Sequence, residues 1–414
     1  MEARQHSAGA AFAERIEARQ GAEADSLKRE LLGALRRLAP AWEDVALRIH
    51  AHPELGRQEH RASAWLGEEL ERAGFSVRRG LAGLSTSFAA SRETSASAPA
   101  IAFVAEYDAL PDLGHACGHN LIAVAACLAG HALAEALPSR VRVIGAPDEE
   151  SFGGKAPLLE HGAFDGADVA MMAHGGPYNL PSRDMLGLRF MTLEFHGRSA
   201  HAATSAGHGV NALDALLLTF QGVGLLRQQL RERARIDGIV THGGKAPNLV
   251  PDYARAEFCV RARQQAHLDE LCGKLLRLAR ASAEAVGARV EAGSGRHPML
   301  AMRRNAPLEE AYAANLRFCG QEVHVFPADG AIGSTDFGNV SQALPGIHAY
   351  FQMVPPEVKH HTPEFAAAAR SRAGLDGMRS AAAAMALTGL DLTLRPELLA
   401  AVRAAFEAQG RGVS

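Results

Sequence analysis

The chain has 414 residues, of which 47% are hydrophobic and 21% are charged. This composition is ordinary for a soluble globular protein, and the length predicts two domains. Because 43 basic and 46 acidic residues give a formal net charge of -3, no strong field would recruit nucleic acid or an anionic membrane, and we expect small-molecule partners.

No export or membrane segment is predicted. The N-terminal region mixes charged residues with alanine and lacks the continuous apolar run of a signal peptide. The longest apolar run, at 121–128, is far shorter than the roughly 20 residues that cross a bilayer. The five cysteines are odd in number and form no CxxC pair, which argues against a disulfide framework. We therefore expect a reducing, cytoplasmic location.

The first predicted elements are helical. Residues 1–24 have the pattern of a loosely ordered arm. Leu27, Leu31, Leu35 and Leu38 then recur at helical spacing. They predict an amphipathic helix that ends before Pro40, because proline disrupts a helix interior.

Three short, mostly apolar runs, at 100–105, 141–145 and 168–173, predict buried strands, and the alternation with helical patterns is typical of an α/β fold. Each run is followed by side chains that can bind metal: Asp108, Cys117 and His119; Asp148, Glu149 and Glu150; and His174. A lone histidine at a strand end is most often structural. Three such groups at the carboxyl ends of one parallel sheet would instead converge on one crevice.

Cys117 and His119 are the most informative pair. They lie one residue apart, separated by the turn-forming Gly118, directly behind the first of these strands. A thiolate and an imidazole at this spacing suit a first-row transition metal better than a packing role in a core.

Residues 188–296 follow a different pattern. The predicted order is strand 189–195, helix 211–230, strands 236–241 and 253–261, helix 268–286 and strand 288–292. This β-α-β-β-α-β order is that of a ferredoxin-like α+β unit. We therefore expect an inserted domain at 188–296, within a catalytic domain formed by 1–187 and 297–414.

The resumed part of the first domain carries further polar motifs. Gly333-Ser334-Thr335-Asp336 precedes a predicted strand at 346–353, and a loop with His360 and His361 follows. Thr362 and Pro363 are a favourable helix start, with threonine as the N-cap and proline at the first helical position. The two histidines therefore lie just before a helix.

Taken together, these motifs resemble the dinuclear-metal aminoacylase/carboxypeptidase family of metallopeptidases over nearly the whole chain. The motifs are HAHPELG at 50–56, EYDALP at 106–111, HACGHN at 115–120, the Glu149-Glu150 pair, the turn at His174, NALDA at 211–215, GSTDFGNVS at 333–341 and HTPEF at 361–365. They are similar to the amidohydrolase branch, with its hippurate and indole-acetyl-amino-acid hydrolases, and most of all to p-aminobenzoyl-glutamate hydrolase and related dipeptidases. The resemblance implies an α/β, zinc-peptidase-like catalytic domain with a mixed, mainly parallel sheet flanked by helices, plus an inserted ferredoxin-like lid or dimerisation domain.

The resemblance also implies a chemistry. Two divalent ions, zinc first with manganese or cobalt as alternatives, would be bound by Cys117, His119, Glu150, His174 and His361. Asp108 would orient a ligand imidazole. Glu149 would be the general base that takes a proton from a metal-activated water and passes it to the leaving amine. The expected reaction is hydrolysis of the amide bond of an N-acyl amino acid or dipeptide.

In the inserted domain, the resemblance implies substrate-handling residues. His201 would stabilise the oxyanion, and Asn248 and Arg261 would hold the free carboxylate of the substrate. In the resumed part of the catalytic domain, Gly333 and Ser334 would also bind substrate. The resemblance further implies a homodimer that pairs through the inserted domain.

Some positions leave alternatives open. Glu106 lies where related peptidases often have a metal-binding histidine, and Asn120 lies where many amidohydrolases have aspartate; both changes resemble the p-aminobenzoyl-glutamate branch. Glu149-Glu150 could instead begin a solvated helix, and Arg261 could be an outward strand residue in a surface ion pair. His361 is preferred to His360 as the ligand because it directly precedes the Thr-Pro helix start.

Other enzyme classes find no support, since the chain lacks a GxSxG elbow, a GxxxxGK[ST] phosphate loop and a GxGxxG turn. Two hypotheses remain: a metal-dependent amidohydrolase, and a non-catalytic binding or regulatory protein that retains the fold. The presence of Glu149 beside a complete ligand set favours the enzyme.

Overall fold

A computed structural model describes residues 2–151, 153–230, 233–327 and 332–410, with side chains from residue 23 onward. The helices and strands follow in chain order: α1 (Glu2–Ala51), α2 (His60–Arg72), β1 (Ser76–Arg79), β2 (Phe88–Glu93), β3 (Ala100–Glu106), α3 (His119–Ala136), β4 (Arg140–Ala146), α4 (Lys155–Glu160), β5 (Val169–Gly176), β6 (Gly187–His196), α5 (Ala212–Leu226), β7 (Arg235–His242), β8 (Tyr253–Ala262), α6 (Gln265–Ala285), β9 (Arg289–Gly293), α7 (Ala306–Phe318), α8 (Phe337–Ala343), β10 (Gly346–Gln352), α9 (Pro363–Ala368), α10 (Arg372–Leu394) and α11 (Pro396–Ala408).

The first sheet is mixed and mainly parallel. Within the described residues its strand order is β1-β2-β4-β3-β5-β10, and β4, β3, β5 and β10 are mutually parallel while β1 and β2 are antiparallel additions. Helix α3 packs on this sheet and contacts α1 and α10. Every residue of β3 is buried, which explains its continuous apolar sequence up to Ala105. The predicted α/β class, with a mainly parallel sheet flanked by helices, is confirmed.

The second sheet is antiparallel and belongs to a separate part of the chain. Its strand order is β7-β8-β6-β9, and α5 and α6 complete the β-α-β-β-α-β order expected from the sequence. Burial alternates strictly along β8, so that Ala254, Ala256, Phe258 and Val260 face the helices. The opposite face of β8 carries its polar residues, Arg261 among them.

The described chain divides into two compact units. The first comprises 2–183, 304–327 and 343–410, and the second comprises 184–303 and 332–342. The second unit therefore includes the segment with Gly333 and Ser334, which the sequence assigned to the catalytic domain. The boundaries at 188 and 296, and the role of the second unit as an inserted lid or dimerisation domain, stay predictions.

The predicted end of the first helix before Pro40 is wrong. Helix α1 continues through Pro40 to Ala51. A proline in a helix interior costs about 3 kcal/mol. Here Trp42, Val45 and Ile49 continue the buried stripe of Leu31 and Leu35, so packing against the core outweighs that cost.

The backbone of residues 2–24 is helical, as part of α1, and the looser order expected of this arm stays a prediction. No described helix is at once long and apolar enough to cross a bilayer.

Candidate metal centre and catalytic groups

The first unit brings together all five residues predicted as metal ligands. Ligand atoms of Cys117, His119 and His174 lie within 4.8 Å of one another, and so do those of Cys117, Glu150 and His361. The two groups share Cys117, so they are two adjacent groups of ligand atoms with a common thiol, each of which could hold a cation. The residues come from the start of α3, the turn after β4, strand β5 and the loop before α9.

The Cys117-Gly118-His119 segment owes its geometry to glycine. Gly118 has φ 77°, in the left-handed region that disfavours side chains, and it is the residue from which α3 begins. A Cβ atom added there would meet only ordinary contacts, the nearest being Met353 Sδ at 3.4 Å, so the backbone angle and not space requires the glycine. The turn points Cys117 and His119 into the same group of ligands.

Asp108 fixes two of these ligands. Its Oδ1 accepts from His119 Nδ1 at 3.0 Å, and its Oδ2 accepts from the backbone N–H of Glu150 at 3.0 Å. Because Nδ1 of His119 faces an acceptor, Nε2 is left to bind a cation. These contacts are of the kind expected for Asp108, and its role of orienting a metal ligand stays a prediction.

The turn that carries Glu149 and Glu150 is fixed by contacts of the preceding residue, Asp148. Asp148 has φ 63°, an uncommon angle for a residue with a side chain, and its Oδ2 pairs with Arg57 Nε at 2.7 Å. The backbone N–H of Asp148 donates to Glu59 Oε1 at 2.8 Å. Glu149 groups with His119 and Glu150 within 4.8 Å, so the turn is not the solvated helix start considered above.

His174 lies inside β5 and not behind it, because β5 runs three residues beyond the predicted end at 173. Parallel pairing with β10 extends through Gly176 and explains the longer strand. The His174 ring lies edge-on to that of His119, with ring centroids 5.8 Å apart.

The geometry favours His361 over His360 as a ligand. His361 Nε2 lies 3.5 Å from Glu150 Oε1, whereas His360 Nε2 lies 3.1 Å from the backbone oxygen of Gly175. His361 has φ 62° and its N–H donates to Ala116 O at 3.1 Å. A left-handed histidine tied to the segment that carries Cys117 is the kind of backbone outlier that accompanies functional sites.

The electrostatics of the centre favour a bound cation. Burial lowers the pKa of His119, but Glu106 and Asp108 outweigh burial and raise that pKa well above its usual value. Burial, followed by the charge of Glu150, raises the pKa of the Cys117 thiol. Carboxylate charge contributes to both shifts, as the main raising cause for His119 and as the second cause after burial for Cys117, and divalent ions would neutralise it.

Sequence reasoning did not give Glu106 or Lys155 a role in this centre. Lys155 Nζ donates to Glu106 Oε2 at 2.6 Å, and both side chains are almost completely buried. Burial raises the pKa of Glu106, but Lys155, His119 and His174 more than offset it and bring the pKa to about 2. A carboxylate at the end of an otherwise apolar strand was the available signal.

Three buried atoms at the centre make no hydrogen bond with any described residue. They are His119 Nε2, Glu106 Oε1 and Glu150 Oε1. Buried polar atoms are rarely left unsatisfied. Together with the thiol of Cys117 and the imidazoles of His174 and His361, they form a donor set that fits divalent transition metals.

In the second unit, His201 lies in a loop that fixes its ring. Nδ1 accepts from the backbone N–H groups of Ala203 and Thr204, at 3.2 and 3.3 Å. A neutral imidazole that accepts at Nδ1 carries its proton on Nε2. The exposed His201 side chain therefore presents Nε2–H as a hydrogen-bond donor.

Asn248 lies beside His201 in the second unit, since Ala202 N–H donates to Asn248 O at 3.0 Å. Arg261 pairs across the sheet with Leu188, at the beginning of β6. Gly333 O accepts from Leu186 N–H at 2.8 Å, so Gly333 also lies beside the beginning of β6. Arg261 forms no ion pair with a described residue, which removes the surface-pair alternative. Ser334 Oγ is buried and makes no hydrogen bond within the described part of the chain.

Comparison with known proteins identifies similar peptidases and amide hydrolases. Residues 102–384 match the peptidase family M20/M25/M40. The chain is 38% identical over 404 residues to the Xaa-Arg dipeptidase of Mus musculus, covering 93% of each chain. It is 32% identical over 269 residues to a p-aminobenzoyl-glutamate hydrolase of Escherichia coli strain K12, covering 58% of this chain and 55% of the relative. In fold it is similar to a dinuclear metal binding peptidase from Bacillus subtilis, with a TM-score of 0.67 at 20% identity over 86% of this chain and 99% of that one.

Proposed function

Because the chain belongs to the peptidase family M20/M25/M40, we propose that it is a dipeptidase whose two metal ions are bound by Cys117, His119, Glu150, His174 and His361. The chain is a metal-dependent hydrolase of peptide or amide bonds. The observation that carries the ligand assignment is the pair of overlapping groups that share Cys117. The non-catalytic alternative finds no support.

The lead substrate class is a dipeptide with C-terminal arginine. The Xaa-Arg dipeptidases of Mus musculus and Homo sapiens are 38% and 37% identical to this chain, over 93% and 91% of its length. The second candidate is an N-acyl amino acid of the p-aminobenzoyl-glutamate type, supported by a similarity that spans 58% of the chain.

The reaction would use Glu149 as general base. Divalent ions bound at this centre supply two things, a lowered pKa for water and polarisation of the scissile carbonyl. Glu149 takes the proton of the attacking water and later delivers it to the leaving amine. Asp108 keeps the His119 ring and the Glu150 backbone in place throughout, through its two hydrogen bonds.

His201 would donate a hydrogen bond to the oxyanion. Support comes from the loop contacts that leave its Nε2–H exposed as a donor. Asn248 and Arg261 would hold the free carboxylate of the substrate, a task for which an unpaired guanidinium is suited. Gly333 and Ser334 would contact the substrate. The buried hydroxyl of Ser334 makes no hydrogen bond with a described residue and would be available to bond the substrate.

Zinc is the first candidate for the native metal, because thiolate and imidazole donors dominate the set. Manganese and cobalt are the alternatives. A cytoplasmic location is supported by the five cysteines, all of which are described and free.

A homodimer that pairs through the second unit would cover apolar surface. Leu225 on α5 and Ile239 on β7 are 67% and 63% exposed. In the described sheet β7 is one of the two edge strands, and an uncovered apolar edge strand favours pairing with another chain. Analytical ultracentrifugation of the wild type should give a dimer and Ile239→Asp a monomer; a monomeric wild type would contradict the proposal.

The function is tested by amine release from a substrate panel. Metal-free protein is reconstituted with zinc or manganese and assayed on Xaa-Arg dipeptides, other dipeptides, p-aminobenzoyl-glutamate and N-acetyl amino acids. We expect Xaa-Arg dipeptides to give the highest kcat/KM. Preference for p-aminobenzoyl-glutamate would favour the second candidate, and hydrolysis of none would refute both.

A further inference from the structure

Glu106 is placed and partnered in an unusual way. It ends β3, its side chain is 1% exposed, and only one of its two oxygens is engaged by a hydrogen bond. Oε2 accepts from Lys155 Nζ at 2.6 Å. Oε1 makes no hydrogen bond with a described residue and faces His119 Nε2 at 3.4 Å.

The two facing atoms both carry lone pairs when His119 is neutral. His119 Nδ1 is bonded to Asp108, which leaves the lone pair on Nε2. Two acceptors that face each other in a buried space repel, and either a proton or a metal ion between them would remove that repulsion. A shared proton would give a charge-assisted hydrogen bond of about 2.7–2.9 Å, which is shorter than the observed separation of 3.4 Å.

A metal ion fits this separation. With metal–ligand bonds of about 2.0–2.1 Å at tetrahedral angles, two ligand atoms lie about 3.3–3.4 Å apart. The distance of 3.4 Å between His119 Nε2 and Glu106 Oε1 matches that value, and His361 Nε2 and Glu150 Oε1 lie 3.5 Å apart in the neighbouring group. Glu106 and His119 therefore have the spacing of two ligands of one ion.

We propose that Glu106 is a sixth metal ligand, which binds through Oε1 the ion held by His119 while Lys155 holds its Oε2. The proposal rests on the metal centre proposed above and adds a residue to it. Lys155 restricts Glu106 to one coordinating oxygen. The ion beside His119 would then have one hard oxygen donor in addition to imidazole and thiolate donors, which widens the range of metals that it accepts.

The test measures metal binding directly. Metal-free wild type, Glu106→Gln and Asp391→Asn are titrated with zinc against a chromophoric chelator, and with cobalt while the visible absorption is recorded. Asp391→Asn is the matched control, because Asp391 is also buried and bound by a lysine, Lys28, at 2.8 Å. We expect Glu106→Gln to lose at least about 10-fold in affinity for one of the two ions and to change the cobalt spectrum. Asp391→Asn should match the wild type in both.

Unchanged affinity and an unchanged cobalt spectrum in Glu106→Gln would overturn the proposal and make Glu106 a partner of Lys155 alone. If Glu106→Gln fails to fold, Glu106→Asp replaces it, since it keeps the charge beside Lys155 but withdraws the carboxylate by about 1.5 Å. An unchanged spectrum in that variant would overturn the proposal equally. Failure of the proposed function would be seen in the separate substrate assay, where the metal-loaded wild type would hydrolyse no member of the panel.

Discussion

Replacing Asp108 with asparagine perturbs two proposed ligands at once. The carboxylate accepts from His119 Nδ1 and from the Glu150 N–H, each at 3.0 Å. Asparagine has one carbonyl oxygen, so one of these two donors would face an NH2 group instead of an acceptor. The side chain is 1% exposed, so water has little access to replace the lost partner.

The expected effect follows from these contacts. A buried donor left without its acceptor costs about 1–3 kcal/mol. The backbone oxygen of Asp108 also accepts from His119 Nδ1, at 2.9 Å, so the ring keeps one partner and the loss falls mainly on Glu150. Because about 1.4 kcal/mol corresponds to tenfold in affinity, we expect zinc affinity to fall by about 10- to 100-fold.

The assay is zinc titration of metal-free protein against a competing chelator. Asp168→Asn is the control, because Asp168 Oδ2 accepts a backbone N–H, that of Ala100, at 2.8 Å but touches no proposed ligand. The control should bind zinc as the wild type does. If Asp108→Asn binds zinc within about twofold of the wild type, the account of how Asp108 orients the ligands is wrong.

Further predictions concern catalysis and stability. Glu149→Gln should lower turnover by about 10²- to 10⁴-fold with metal content unchanged, and full turnover would refute its role as the base. His201→Ala should lower turnover by about 10²- to 10³-fold without releasing metal or unfolding the protein; loss of bound metal would instead make His201 a ligand. Burial raises the pKa of Glu59 from 4.5 to about 7, so its neutral form is favoured in the folded state. The stability that neutral Glu59 contributes is fully present below pH 4.5 and is lost as the pH rises to about 7. The loss amounts to about 3 kcal/mol of unfolding free energy. Glu59→Gln, which cannot ionise, should not show this pH-dependent loss. Urea unfolding at pH 5 and pH 8 checks this, and equal pH dependence in the two proteins would contradict it.

Much of the fold could be predicted from local patterns. The buried strand at 100–105 is a continuous apolar run, that at 141–145 is apolar except for Arg142, and burial along β8 alternates with a period of two, so these strands are visible in the sequence. The convergence of Cys117, Glu150 and His174 follows from a general rule, since parallel strands bring their carboxyl ends to one edge.

What could not be predicted depends on tertiary contacts. Helix α1 passes Pro40 because residues on both sides of the proline pack on the core, and no local rule contains that packing. Lys155 pairs with Glu106, which lies 49 positions earlier in the sequence. Short-range spacing patterns cannot predict a contact over that separation. The extension of β5 past His174 likewise depends on its pairing with β10.

The central claim is that two divalent ions at one centre support amide hydrolysis. Its most direct test is to titrate metal-free wild-type protein with zinc and to follow hydrolysis of an Xaa-Arg dipeptide together with the zinc bound per chain. The account predicts that two ions bind per chain and that hydrolysis reaches its maximum at two equivalents. Full hydrolysis by the metal-free protein, or a maximum reached with a single ion bound, would contradict it.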